Sequence, residues 1–217
     1  MSGSTSTDNL TKSSATNHLS NNNRLPKELI AELVGTLLLV HIGTSVSAQY
    51  VLSKQGASSP MVVTFGWGLA VFCAVTMSFS VSGGFINPAV TLMMWTFGKL
   101  PFKHFLAYAV AQTTGAFCGA GLTFLMYYAA IENYDGGVRA IFGANSTAIV
   151  FIPFPSPYIG ILTGLIDSIL SSIMLILSTA AVGDERNKLP SFLIPLFSGF
   201  IVMMLGSGFA MNSGSPV

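Results

Sequence analysis

Charge is what this sequence has least of. Only 8% of its 217 residues are Asp, Glu, Lys or Arg, nine basic against eight acidic, while 51% are hydrophobic and mean hydropathy is +0.67. A soluble domain carries about 25% charged residues, so this chain cannot cover a water-facing surface. The net charge of +1 is uninformative by itself, and with no cluster of Lys or Arg no nucleic-acid partner is expected. The two cysteines, Cys73 and Cys118, are too few for a disulfide framework. Both fall in apolar runs and are expected to be small buried hydrophobes. No Ser/His/Asp set, no Cys/His set and no metal-ligand spacing stands out, so neither an enzyme nor a cofactor or metal is expected. What remains is an all-α integral membrane protein with several spans.

Residues 1–24, "MSGSTSTDNLTKSSATNHLSNNNR", are the exception to the apolar composition. Such a segment cannot bury enough surface to order itself, and a disordered polar tail is expected. It has no apolar core like that of a secretory signal. A bilayer crossing needs about 20 apolar residues. Residues 28–52, 60–81, 104–130 and 158–182 qualify, and a shorter run covers 190–206.

Lys54 and Lys99 bracket a stretch without any charge. Ser82-Gly83-Gly84 breaks the helix that precedes it, and Asn87-Pro88 starts a short one over 88–97. Asn is a good N-cap and Pro suits the first helical position. A half-helix at membrane depth is tolerated only inside protein or beside a water-filled cavity. With the N-terminus in the cytoplasm, Lys12, Arg24, Lys27, Lys99, Lys103, Arg186 and Lys188 fall inside, and only Lys54 and Arg139 outside. Asn145-Ser146-Thr147 then becomes a formal glycosylation acceptor in the outer loop.

Two lone acids punctuate the spans, Glu32 in "AELVGTLLLV" and Asp167 in "IDSILSSIML". Intramembrane acids are functional by default, so an ion site is one reading of them. Each precedes a Gly-Phe phrase that ends in Asn, "GFIN" at 84–87 and "GFAMN" at 208–212. A repeat of three spans is inverted in its second copy. The chain therefore divides into a first repeat, 25–132, and a second, 133–217. The first Asn loop enters from the cytoplasm and the second from outside.

"SGGFINPAVTL", after a Glu-bearing span and before "AYAVAQTTGAFCGAGL", resembles the major intrinsic proteins, the aquaporins and aquaglyceroporins, over 27–212. The resemblance implies an inverted-repeat helical bundle of six tilted helices and two half-helices that meet N-terminus to N-terminus. It implies a homotetramer in the plasma membrane, each chain with its own passive pore for water, glycerol and other small polyols. Asn87, Pro88, Ala89 and Asn212 would form the pore centre. Trp67, Phe209 and Gly206 would form the filter, as in the glycerol-conducting branch, and "FIPFPSPY" and "GDERNKLP" resemble segments of that branch. Glu32 and Asp167 would be scaffold, accepting backbone N–H groups of the re-entrant loops. Set against these roles, Trp67 reads as an interfacial aromatic, Phe209 as core packing and His41 as a hydrogen-bonded helix residue.

The sequence departs from the family pattern in its second phrase. Ser213, Gly214, Ser215 and Pro216 follow Asn212, where the family has Pro-Ala-Arg, so the filter arginine would fall at Ser215. Phe85 stands where His is usual. The expectation is an incomplete second repeat with the sixth helix missing, whether as a fragment, an alternative product or a natural truncation. Residues 1–217 alone are then expected not to conduct. A non-conducting subunit that co-assembles with full-length channels is the alternative to a channel.

Overall fold

The computed structural model describes residues 24–54 and 56–214. The tail expected over 1–24 lies outside the described residues except for Arg24, and so does Ser215. Among the described residues the fold is all-helical: α1 (Arg24–Leu52), α2 (Pro60–Ser82), α3 (Pro88–Thr96), α4 (Phe102–Met126), α5 (Tyr128–Asp135), α6 (Ile161–Val182) and α7 (Ile194–Ser213). Five of the helices, counting α7 with the 3-10 turn Ser191–Leu193 that leads into it, are long and apolar enough to cross a membrane.

Local chemistry sets most of the ends. Ser59 caps α2 through its hydroxyl and Pro60 opens it, and Gly83 at φ +99° closes it in the left-handed conformation. The short α3 is the expected half-helix. Two C-terminal ends differ by more than one residue from the sequence expectation. The third span was expected to run to 130, but α4 stops at Met126 and α5 starts afresh at Tyr128. The fifth was expected to end at 206, but α7 continues through Gly208 to Ser213. Its last carbonyls find donors there: Ser156 gives its backbone N–H to Asn212 O at 2.8 Å and its hydroxyl to Met211 O at 2.7 Å. A far loop thereby satisfies carbonyls that a helix end otherwise leaves orphaned.

Packing runs from α1 outward. α1 lies along α4 and α2, α2 along α7, and α7 along α6, with α3 tucked against α4. The α1–α4 contact is backbone to backbone. A Cβ at Gly115 would collide with the Leu33 carbonyl, and one at Gly119 with the Leu37 carbonyl. Small residues let helices close this far in lipid, where dispersion and interhelical hydrogen bonds drive association. Further along the seam, His41 Nδ1 and Thr44 Oγ1 lie 2.9 and 2.7 Å from Thr123 Oγ1, which makes His41 a hydrogen-bonded helix residue. The opposite edge is loose: only Ser171 and Leu175 of α6 are buried.

Cys73 and Cys118 were expected inside the core. Both lie exposed on the outer faces of α2 and α4. In a membrane chain the apolar surroundings that suit a thiol lie outside as well as inside.

Candidate functional site: the Asn87 half-helix and its cavity

The centre of the molecule is built around Glu32. Its side chain is fully buried in α1, where an unpaired carboxylate would be costly. It is saturated instead. Oε1 accepts from the Ser82 hydroxyl at 2.5 Å and the Phe85 N–H at 3.1 Å. Oε2 accepts from the Ile86 N–H and the Gln112 amide, both at 2.7 Å. Gln112 also donates to Thr91 Oγ1 at 2.9 Å, which ties α3 to the same acid. One side chain thus holds the loop before the half-helix and braces the half-helix from behind.

The loop needs that grip. Gly83 and Gly84 take φ of +99° and +66°, and Ile86 takes +42°. A β-branched residue there is an outlier worth about 1–3 kcal/mol of strain. Its N–H on Glu32 and its carbonyl, which accepts from Thr36 at 3.4 Å, fix the conformation. Gly35 leaves the space, since a Cβ there would stand 2.9 Å from Ile86 Cγ2.

Asn87 is the product of this bracing. It caps α3 with extended backbone, and its Oδ1 accepts the Ala89 N–H at 2.8 Å. Because the oxygen is used, the amide NH2 is the end left over to donate. It does so at a helix N-terminus, which carries roughly half a positive charge. A cavity of about 80 Å³ opens beside it, lined by loop residues 84–87, by Val71, Val75, Leu175 and Ile201, and by Thr179 and Ser198. At about 30 Å³ per water that is room for roughly two or three molecules. An apolar wall with one fixed amide donor on a positive helix end suits a small neutral oxygen-bearing solute and disfavours a cation.

The second phrase is arranged differently. Asn212 was expected in a re-entrant loop, with too few residues after it to form the second half-helix. It sits in the last turn of α7, at the C-terminal end of a helix, and donates its amide to Asp167 Oδ1 at 3.3 Å. The physical reason is continuity: "GSGFAMN" holds no Pro, and with Ser156 to cap the carbonyls the helix simply runs on. Asp167 therefore takes a side-chain donor, not the backbone donors expected, and its Oδ2 is buried without a partner.

The expected filter residues do not converge on the cavity. Trp67 lies flat on Gly43 and donates its Nε1–H to Ser47 at 3.1 Å. Phe209 packs on the Leu175, Ile201 and Leu205 cluster. Gly206 faces α2, where a Cβ would stand 2.9 Å from Thr64 Cγ2, so it serves a helix crossing. Asn145 is exposed in a turn of the loop between α5 and α6. Sequence reasoning missed Gln112 and Ser82. The signal available for Gln112 was a lone amide in an otherwise apolar span, the same signal that exposed Glu32.

Residues 19–215 match the family profile described as Major intrinsic protein. Aquaporin-9 of Rattus norvegicus is 34% identical over 204 residues, covering 94% of this chain and 69% of its own. Aquaglyceroporin-2 of Rhizophagus irregularis is 34% identical over 194 residues, covering 86% of this chain and 61% of its own. The chain thus spans about two thirds of the length of the curated relatives it matches. The X-ray structure of the aquaglyceroporin from Plasmodium falciparum superposes with a TM-score of 0.76 at 27% identity, over 88% of this chain and 75% of that one.

Proposed function

The chain belongs to the major intrinsic protein family, and from that premise we propose that it is a passive membrane channel, not an enzyme, for water and glycerol-like small neutral solutes. One observation carries the reading. Asn87 caps a nine-residue half-helix, commits its Oδ1 to the Ala89 N–H and lines a small, mostly apolar cavity. A solute oxygen that takes a hydrogen bond from the remaining amide NH2 loses little on leaving bulk water. A hydronium or metal ion meets the positive helix end in a low-dielectric wall. The inner half of the pore belongs to Asn87, Pro88 and Ala89, with Glu32 as its support. On the outer side, Trp67 packs on Gly43 and Phe209 on the Leu175, Ile201 and Leu205 cluster, so neither is assigned to the pore. The working unit is a homotetramer in the plasma membrane, with the N-terminus cytoplasmic and Asn145 accessible to a glycan on the outer face.

The test is stopped-flow light scattering on vesicles that hold the chain. Against the sequence expectation that residues 1–217 do not conduct, water and glycerol should both cross faster than in empty vesicles, because the Asn87 half-helix is braced through Glu32 and Gln112. Asn87→Asp replaces the donor with an anion and should lower both fluxes about tenfold or more, the effect of raising a barrier by about 1.4 kcal/mol. Cys118→Ser, on an outward face, should leave both nearly unchanged. Water flux without glycerol flux would remove the solute assignment, and no flux above empty vesicles would remove the channel.

A further inference from the structure

The inner end of the Asn87 loop carries an arrangement that this channel reading leaves unused. Phe85 lines the cavity two residues before Asn87. Its ring folds back over Gly83, so closely that a Cβ there would stand 3.0 Å from Phe85 Cζ. On its other side it meets the Tyr108 ring, with centroids 6.0 Å apart and planes at 39°. Tyr108 is 1% exposed, and its position in α4 is not left to packing. Its hydroxyl donates to Glu28 Oε2 at 2.8 Å, and Glu28 Oε1 holds Arg24 Nε at 2.8 Å. A charge-anchored strut thus runs from the first turns of α1, through a buried phenol, to the one aromatic ring at the cavity edge. Such a strut is more than apolar filling, because a buried hydroxyl bonded to a carboxylate costs stability unless its geometry is kept.

We propose that Phe85 sets the width and polarity of the inner mouth, and that Tyr108 is the positioning residue that holds its ring against the wall. The proposal rests on the channel reading above. Phe85 is too large for the 80 Å³ space it borders to remain open if the ring turned inward. Nothing covalent holds it out: its backbone is fixed by Glu32, but the ring is retained by its aromatic contact, worth about 0.5–1.5 kcal/mol beyond area burial. Remove that contact and the ring is free to swing across the cavity. A larger, carbon-bearing solute should feel the intrusion more than water does.

The experiment uses the full chain in vesicles at matched protein content. Tyr108→Leu should lower glycerol flux about fivefold, a barrier change of about 1 kcal/mol, and water flux less. The double variant Tyr108→Leu with Phe85→Ala should restore both fluxes, because no ring is left to intrude. Tyr108→Phe keeps the ring and loses the strut, and should fall between wild type and Tyr108→Leu. A loss that is equal for both solutes and not rescued by Phe85→Ala would mean that Tyr108 is structural only, and an unchanged glycerol-to-water ratio in Tyr108→Leu would overturn the proposal. A second readout does not depend on flux. With 4-fluorophenylalanine at position 85, Tyr108→Leu should shift and broaden the fluorine resonance, and an unmoved resonance would overturn the positioning role. Absence of flux in the wild-type chain would instead count against the channel reading, with the resonance still testing the strut.

Discussion

The two halves of the chain carry the same elements at different degrees of completion. In the first, Glu32 has four donors on two oxygens, and the Asn it supports opens a helix. In the second, Asp167 has one donor at 3.3 Å and one bare oxygen, and its Asn closes a helix. The same residue type thus stands at opposite dipole ends. Asn87 donates from a positive end, and Asn212 lies at a negative one. An asparagine in a Gly-Phe phrase does not by itself make a pore donor. The helix end on which it sits does, and the carboxylate behind it decides whether that end is held.

The largest effect that this contrast predicts is at the acids. Glu32→Ala leaves two backbone N–H groups, a hydroxyl and an amide without their acceptor. At about 1–3 kcal/mol for each buried unsatisfied group, the expected loss is at least about 4 kcal/mol. Asp167→Ala should cost less than about 1 kcal/mol. Unfolding in mixed micelles, followed by helical circular dichroism, measures both, and equal losses would dissolve the distinction between the halves.

A smaller effect sharpens the contrast in packing. Gly→Ala inside a helix gains about 1 kcal/mol where space allows. Gly164 in α6 has only Ile159 Cδ1 near, at 3.7 Å, so Gly164→Ala should be neutral or stabilising. Gly115→Ala would press on the Leu33 carbonyl and force α1 from α4, with a net loss of about 1–3 kcal/mol. The same unfolding assay decides it. A harmless Gly115→Ala would show that the first half is no more tightly joined than the second.

The smallest expected effect separates burial from partner count. Asp184, in the loop between α6 and α7, is bonded as richly as Glu32. The Arg186 guanidinium and the Arg186 N–H together hold its carboxyl down to about 2. It lies in water, however, where such pairs contribute little. A depressed carboxyl stabilises above its unfolded value of about 4 and loses that contribution as pH falls through about 2. Asp184→Asn should therefore sit slightly below wild type at pH 7 and converge with it near pH 2. Thermal midpoints across that range test it, and a gap that widened toward acid would contradict the sign.

The first half was legible because its chemistry is local or unavoidable. Asn87-Pro88 after Ser82-Gly83-Gly84 writes a break and a cap within seven residues. A lone Glu32 in an apolar span must find donors, and the nearest orphaned N–H groups belong to the loop. The second half was less legible because its structure is settled at a distance. Whether α7 stops at 206 or runs to 213 depends on Ser156, more than fifty residues earlier, reaching its last carbonyls. The break between α4 and α5 falls at Met126-Tyr127, with neither Gly nor Pro to announce it. Trp67, Phe209 and Gly206 were assigned by resemblance alone. Their packing partners, Gly43, Leu175 and Thr64, come from elements that no window of sequence brings beside them.

The seam at Gly115 and Gly119 has a mechanical consequence. Two rods whose main chains interlock cannot slide or roll on each other without first separating. α1 and α4 therefore act as a fixed post. Motion that widens or narrows the cavity must then come from side chains along its rim or from the lightly held α6 on the far side. The post also carries both ends of the Glu32–Gln112 brace, so the Asn87 loop is referenced to a seam closed backbone to backbone.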